Sequence, residues 1–284
     1  MKTVVITGAT SGIGFAVAEG CLSAGYRVLG IGRNPERIAS SLKALRDSHP
    51  GTEVDFFQAD LSEQDETERV AKEIGEYLDS HCGGELFGLV NNAGCVRSWH
   101  TTNRKGYETQ FALNHLAAFV LTSRLFPWLL RGKGRVLFTS SRSHFGMKIR
   151  WKDVMFEKAY HPLLAYKQSK LCNLLFAFSL NRRYGEQGIR AYGIDPGLVR
   201  TDIGGKDTGG LVRFVWNLRK RGGREPEVPA RTYLTLLVAD PAPEGLYFHD
   251  SRPVRFSREV REDSAQKLFE LSERLAGFSF GGCR

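Results

Sequence analysis

The sequence predicts a single-domain, doubly wound α/β fold: a mostly parallel sheet of seven strands with helices on both faces. Two observations predict it. Short β-branched apolar runs alternate with longer stretches of helical periodicity along all 284 residues. The apolar runs are near-continuous, as strands buried on both faces require. A third observation bounds the size. With 42% hydrophobic, 25% charged and 11% aromatic residues, the chain can bury a large core, which excludes wholesale disorder.

The elements follow in order. Val4–Thr7 reads as the first strand, running into a glycine-rich turn. From Ile13 to Leu22 the apolar residues share one helix face, and Gly25 sits where a helix ends. Arg27–Ile31 is the second strand, Glu36–Leu45 a helix, and Pro50-Gly51 a loop. Val54–Gln58, Leu86–Val90, Arg135–Thr139, Ile189–Ile194 and Leu246–Phe248 complete the strands. Helices are expected over Gln64–Leu78, over Tyr107–Leu130 with an interruption at Pro127, over Tyr166–Tyr184 and over Arg258–Ala276. Residues 204–227 depart from the alternation. They are rich in Gly and Arg, with an apolar stripe at Leu211, Phe214, Val215, Trp216 and Leu218, and read as an inserted substrate lid.

Several classes are excluded by what the composition lacks. The 31 glycines have no three-residue period, so a collagen-like helix is out. No apolar run reaches about 18 residues; the longest, Leu171–Leu180, is broken by Cys172, Asn173 and Ser179. The five cysteines are scattered without a C-x-x-C pair, so neither a disulfide framework nor a zinc site is expected. Met1-Lys2-Thr3 runs straight into the first strand with no apolar leader, so secretion is not expected, and the scattered, odd-numbered cysteines fit a reducing cytoplasm. A net charge of +9 suits an anionic cofactor as well as nucleic acid or a membrane surface. The one dense basic cluster, Arg219 to Arg224, has no interleaved aromatics, so no nucleic-acid partner is expected.

Thr7-Gly8-Ala9-Thr10-Ser11-Gly12-Ile13-Gly14 joins the first strand to the first helix. Glycines there allow a tight turn and close approach of a pyrophosphate to backbone N–H groups at a helix N-terminus. The spacing is G-x-x-x-G-x-G, and its placement after a strand favours a dinucleotide. The second strand ends in Gly32-Arg33-Asn34. Arg33 can fork onto a ribose 2′-phosphate, so NADP(H) is expected over NAD(H); Glu36 is the rival, expected inside the next helix.

Tyr166 and Lys170 lie four apart and share one helix face. A phenol at its ordinary pKa of about 10 is a poor base at neutral pH. A neighbouring ammonium lowers it, so that Tyr166 can exchange a proton with a carbonyl or alcohol oxygen. A strand-end hydroxyl at Ser140-Ser141 can hydrogen-bond the same oxygen.

Together, Thr7–Gly14, Asn91-Asn92-Ala93-Gly94, Ser140-Ser141, Tyr166-x-x-x-Lys170 and Pro196-Gly197 resemble the short-chain dehydrogenase/reductase family in order and spacing. The long interval from Ser141 to Tyr166, Asp195-Pro196-Gly197-Leu198-Val199-Arg200-Thr201 and Tyr247-Phe248-x-Asp250 are similar to its retinol-dehydrogenase-like branch. The resemblance implies a Rossmann fold and a nicotinamide cofactor. It implies Tyr166 as general acid/base, Lys170 holding the nicotinamide ribose, Ser141 (with Ser140 as neighbouring alternative) as the catalytic serine, and Asn114 supporting a water chain to the lysine. It further places Gly8, Thr10, Ser11, Gly12, Ile13 and Gly14 at the pyrophosphate, Asp60 and Leu61 at the adenine, and Asn91, Ala93 and Gly94 beside the adenosine ribose. Pro196, Gly197, Val199 and Thr201 fall beside the nicotinamide, and Asn92 is expected to brace the sheet. His144, His161 and Cys95 have no partner at ligand spacing and are expected to line the pocket or fill loops, with no metal site. The implied activity is hydride transfer to or from a hydrophobic, retinoid-like aldehyde, ketone or alcohol. The competing readings are a non-catalytic NADP(H)-binding module and, through residues 204–227, peripheral membrane contact; a homo-oligomer is possible.

Overall fold

The computed structural model describes residues 1–199 and 223–281. The expected lid stripe from Leu211 to Leu218, most of the basic cluster and Thr201 lie outside the described residues.

In chain order the elements are β1 (Thr3–Thr7), α1 (Gly12–Ser23), β2 (Arg27–Gly32), α2 (Pro35–Ser48), β3 (Val54–Gln58), α3 (Gln64–His81) and β4 (Gly88–Asn91). A broken helix follows: α4 (Thr109–Phe111), a π-helical turn (Ala112–Leu116), α5 (Ala117–Arg124) and α6 (Phe126–Arg131). Then come β5 (Arg135–Thr139), a 3-10 turn (Arg142–His144), α7 (Pro162–Tyr184), β6 (Arg190–Ile194), α8 (Glu227–Val238), β7 (Tyr247–His249), β8 (Arg252–Pro253) and α9 (Glu262–Ala276).

The strands form one sheet in the order β3-β2-β1-β4-β5-β6-β7-β8. All neighbours are parallel except β7 and β8, paired through Phe248–Pro253 and His249–Arg252. The described sheet therefore has eight strands where seven were expected. The addition is a two-residue edge strand containing a proline, which no apolar run announces. Strand order reverses between β1 and β4, and at such a switch point a crevice opens beyond the carboxyl ends of the strands.

Both faces are covered. Val5, Leu29, Leu89, Val136 and Phe138 pack beneath α3, α5, α7 and α9. Val4, Ile6, Val28, Val90, Leu137 and Ile194 pack beneath α1 and α8. Every residue of β1, β2, β4 and β5 is buried.

Local sequence fixes the helix ends. Asn34 Oδ1 accepts from the Arg37 N–H at 2.8 Å and Pro35 opens α2. Acidic residues begin α9 (Glu262, Asp263), and Gly277 ends it in the left-handed region at φ 78°. α9 starts after the expected Arg258 because Ser257 to Val260 form a turn, closed by Val260 N–H on the Ser257 carbonyl at 3.1 Å. α7 starts before Tyr166, at Pro162, where His161 caps it. α8 was not anticipated. Its Pro229 reads as a breaker, yet stands in the first turn, where a missing N–H costs nothing. The Arg135 guanidinium closes the other end, donating to the carbonyls of Leu236 (2.8 Å), Leu237 (2.8 Å) and Ala239 (2.6 Å). Among the described residues no helix is long and apolar enough to cross a membrane.

Candidate active site

The turn after β1 has the shape its glycines permit. Gly8 and Gly12 adopt φ of 68° and 55°, a region that side chains other than glycine seldom enter. A Cβ on Gly14 would fall 2.3 Å from the Gly8 carbonyl oxygen and 2.7 Å from Asn92 Nδ2, so only glycine lets α1 come this close. Ser11 precedes α1 without a side-chain cap, which leaves first-turn N–H groups directed at the crevice. Ile13 is buried and anchors that turn in the core; the Thr10 methyl packs over Gly32, where a Cβ would meet it at 2.6 Å.

At the β4 tip, Thr7 Oγ1 accepts from the N–H groups of Asn92 and Ala93, both at 2.8 Å. Asn92 Nδ2 donates to the Thr7 carbonyl at 3.1 Å, so Asn92 braces β1 against β4 as expected. The Asn91 side chain turns away from the crevice: it is buried and donates to Thr122 Oγ1 on α5 at 3.3 Å, which leaves its backbone to face a ribose. The pleat sends successive side chains to opposite faces, and this one goes to the helix layer.

Past Gly94 the chain meets the π-helical turn. Asn114, 2% exposed, holds Cys95 from both sides: its Oδ1 accepts from the Cys95 N–H at 2.8 Å and its Nδ2 donates to the Cys95 carbonyl at 3.0 Å. Nδ2 also donates to Ser169 Oγ at 2.9 Å, which ties the broken helix to α7. A Cβ on Gly94 would lie 3.0 Å from Asn114 Oδ1 and 3.6 Å from Lys170 Nζ, so these three residues converge. The extra residue of a π turn re-aims a side chain within a helix, and here that side chain is Asn114.

Lys170 is 1% exposed, and burial pulls its ammonium down to about 8. It donates to the Thr139 carbonyl at 2.9 Å and lies 5.4 Å from the centre of the Tyr166 ring. An ammonium has three donors, so two remain beyond the Thr139 contact. Tyr166 is half-buried on the same helix face.

Ser140 and Ser141 part company. Ser140 is fully buried, and its hydroxyl donates to the Lys170 carbonyl at 2.9 Å. Ser141 is half-buried, and among the described residues its Oγ accepts just a 3.2 Å contact from the Ser143 N–H. The hydroxyl available to a substrate is therefore that of Ser141.

Two residues that sequence reasoning undervalued hold this strand end. His144 is fully buried rather than lining a pocket. Its Nε2 accepts from the Ser257 N–H at 3.1 Å, so the proton is on Nδ1, which donates to the Ser141 carbonyl at 2.6 Å. Burial lowers its pKa, against opposing pulls from the Ser141 carbonyl and Asp195. Tyr233 of α8 is also fully buried, with its hydroxyl 2.7 Å from Thr139 Oγ1. Thr139 Oγ1 donates to Asn92 Oδ1 at 3.3 Å, so Tyr233 is the donor to Thr139. A hydrogen-bonded line thus runs from α8 through Thr139 and Asn92 to the turn after β1. No local motif marks Tyr233, because its partner is 94 positions away. His161 is a helix cap, and Cys95 is buried with its thiol pushed up to about 12.

On the outer side, Arg33 is exposed and pairs with Asp60 Oδ2 at 3.3 Å. Burial pushes the Asp60 carboxyl up, but bonds from the Ser62 hydroxyl and N–H, with the Arg33 charge, hold it below its usual value. Leu61 corrects the expectation for its side chain, which is 6% exposed and packs in the core beside Leu29 and Ile31. Glu36 lies in the first turn of α2, as expected. Arg37, which sequence reasoning passed over, puts a second exposed guanidinium in that turn.

Beyond β6, Gly197 adopts φ 70° and its N–H donates to Asp195 Oδ1 at 3.0 Å, which shapes the Pro196-Gly197 turn. His249 Nδ1 donates to the Asp195 carbonyl at 2.9 Å. Val199 forms a parallel bridge with Arg224, and the Arg224 N–H donates to the Leu198 carbonyl at 2.8 Å. The Arg224 guanidinium grips the Asp250 carboxylate at 2.6 and 2.8 Å.

Residues 2–209 match the model of the short chain dehydrogenase family. The chain belongs to that family. Mouse retinol dehydrogenase 12 is 31% identical over 98% of this chain and 87% of its own length. Human retinol dehydrogenase 13 is 30% identical over 97% of this chain and 85% of its own, so the chain lies in the retinol-dehydrogenase-like branch. Among solved structures, an uncharacterized protein from Mycobacterium paratuberculosis superposes with a TM-score of 0.74 at 27% identity, covering 99% of this chain and 95% of that one. An alcohol dehydrogenase from Thermococcus sibiricus, solved with 5-hydroxy-NADP, shares the fold with a TM-score of 0.67 at 22% identity, covering 90% of this chain and all of that one. As a short-chain dehydrogenase the chain is an oxidoreductase, and its residues fit a nicotinamide dinucleotide. Gly8 and Gly12 shape the turn with positive φ, the uncapped first turn of α1 offers its N–H groups to a pyrophosphate, and the buried Lys170 ammonium keeps two donors beyond its Thr139 contact.

Proposed function

We propose that the protein is an NADP(H)-dependent oxidoreductase acting on a hydrophobic aldehyde or ketone, or on the corresponding alcohol. The observation that carries this reading is the buried Lys170 ammonium, 5.4 Å from the Tyr166 ring on one helix face. The cofactor supplies or accepts the hydride. Tyr166 hands its phenolic proton to the carbonyl oxygen in reduction and takes it back in oxidation. The Lys170 charge stabilises the phenolate left behind and holds ribose hydroxyls with its remaining donors. Ser141 Oγ donates a hydrogen bond to the same substrate oxygen, and Asn114 keeps the Gly94–Cys95 turn against Lys170.

Arg33 supports NADP(H) over NAD(H). Its pairing with Asp60 is largely exposed and so contributes little, which leaves the guanidinium free to turn to a 2′-phosphate. The fold neighbours from Thermococcus sibiricus and Sphingobium yanoikuyae, solved with 5-hydroxy-NADP and NADPH, support the same choice. An apolar substrate is supported by exposed Trp99 and Leu198 on the loops after β4 and β6, and by the retinol dehydrogenases among the relatives. A cytoplasmic setting is supported by the four cysteines among the described residues, all free and three of them buried.

The test is NADPH oxidation with a panel of aliphatic and aromatic aldehydes, wild type beside Tyr166→Phe. The variant is expected to lose roughly 100- to 10,000-fold in kcat while its NADPH affinity stays within about twofold. Tight NADPH binding without turnover by the wild type across the panel would instead establish a non-catalytic binding module.

A further inference from the structure

The C-terminal helix α9 packs against α7 and against the broken helix that carries Asn114. Polar contacts tie the end of the chain to that broken helix. Tyr107 Oη, just before α4, donates to the Leu275 carbonyl at 2.9 Å. His115 of the π-helical turn stands 2.9 Å from Ser272 Oγ. The Gly281 N–H donates to Ser123 Oγ of α5 at 3.0 Å. Around these bonds the contact is apolar. The Phe119 ring meets those of Phe269 and Phe280 at 5.4 and 5.6 Å between centres.

His115 and Ser272 form a fully buried polar pair within that apolar contact. Ser272 Oγ donates to the Leu268 carbonyl at 2.8 Å, so it accepts from His115 Nε2–H. Asn173 of α7 faces the same ring. Its Nδ2 donates at 3.3 Å to the Thr139 carbonyl that Lys170 also holds. Apolar side chains alone would let α9 settle in more than one register, whereas a buried donor that must find its acceptor selects one. His115 directly follows Asn114 in the π turn. Neighbouring residues on a helix point roughly 100° apart. Asn114 is held by Cys95 and Ser169 in one direction, and His115 by Ser272 in another. One clamp leaves the turn free to swing about its axis; two fix it. A π turn is rare, and an α-helical winding of the same residues would rotate Asn114 away from Cys95.

We propose that His115 is a positioning residue. Gripped by Ser272 of the C-terminal helix, it sets the π turn that aims Asn114 at Cys95, and so keeps the Gly94–Cys95 turn beside Lys170. The C-terminal helix thereby belongs to the support of the site. The positioning stands without the proposed activity; its effect on turnover rests on that reading.

The test reads hydrogen exchange at the Cys95 N–H, which donates to Asn114 Oδ1 and reports without any turnover. Ser272→Ala should speed that exchange about 10-fold, with the amides of β1 and β5 unchanged. His115→Gln, which can still donate to Ser272, should keep most of the protection. H115F/S272A sets a ring between Phe111 and Phe176 and leaves neither partner unpaired, so it should melt at a higher temperature than Ser272→Ala. Its Cys95 exchange should stay fast all the same. Should Ser272→Ala fail to fold, the double variant carries the test. With an aldehyde that the wild type reduces, kcat of both should fall about 10-fold while NADPH affinity holds within about twofold. The inference is overturned if Cys95 keeps its protection in Ser272→Ala, if the double variant regains protection along with melting temperature, or if kcat is unchanged in both. A wild type that reduces no carbonyl overturns the enzymatic reading alone, and Cys95 exchange then decides the positioning by itself.

Discussion

The Lys170 ammonium donates to the Thr139 carbonyl at 2.9 Å, so the lysine of α7 is fastened to the strand that carries Ser141. The contact is reinforced in the opposite sense, because Ser140 Oγ returns a bond to the Lys170 carbonyl at 2.9 Å. Helix and strand are thus locked together at the point where both present the groups proposed to react.

The lock stabilises a buried charge at a cost to the fold. Burial pulls Lys170 from 10.5 to about 8. Between those values the unfolded chain holds a proton that the native state has released, so this residue's contribution to stability rises with pH from about 8 to 10.5. Below about 8 the native state carries the full cost of the buried ammonium. Lys170→Met should therefore raise stability at pH 7 by on the order of 1–3 kcal/mol and abolish turnover, with the stability gain shrinking toward pH 10. Urea titrations at pH 7 and pH 9.5 check this; a variant less stable than wild type at pH 7 would contradict it. In the wild type, the rate of carbonyl reduction should fall above pH about 8, as Lys170 loses its charge.

His115 should make the fold sensitive to acid. It is fully buried, 2.9 Å from Ser272 Oγ of α9, and burial drops its pKa from 6.5 to about 3 while Asn173 pulls the other way. Between those values the unfolded state binds the extra proton, so stability falls as pH drops below 6.5, by up to about 1.4 kcal/mol per pH unit. His115→Gln should flatten the slope between pH 6.5 and 4.5, as read by melting temperature. An unchanged slope would mean that another group sets the acid limit.

His144 should act on Ser141 through position. His144→Phe keeps the ring and loses both hydrogen bonds, so kcat is expected to fall about 10-fold or more with NADPH affinity unchanged. His144→Gln, which can still donate and accept, should recover part of the rate. A residue that only filled space would show lower melting temperature and normal kcat in both variants.

Arg33→Ala should weaken NADPH by roughly 10- to 100-fold and NADH little, as fluorescence titration would read. Equal losses for the two coenzymes would remove Arg33 from the 2′-phosphate.

The residues of the site were legible where local spacing carries them: the glycines of the first turn, Tyr166 four before Lys170, and Asn114 through the family resemblance. What holds those residues was not. Tyr233 and His144 work through partners 94 and 113 positions away, and no short pattern encodes such distances. Ser140 and Ser141 look alike in the sequence and differ only in which side of β5 they leave, a difference that the contact with Lys170 reveals. α8 was hidden by Pro229, a residue whose effect depends on whether it falls in the first turn or later. The eighth strand was hidden because two residues paired at an edge leave no periodicity to read.

The bridge between Val199 and Arg224 has a consequence for engineering. It places the two chain ends that border residues 200–222 side by side, so the framework on either side closes independently of what is spliced between them. Closure entropy changes slowly with loop length, so a graft from a relative, or a brief glycine-rich replacement, should leave the sheet standing. The protein thus offers a natural cassette position, where the segment between Val199 and Gly223 can be exchanged between family members without rebuilding the sheet.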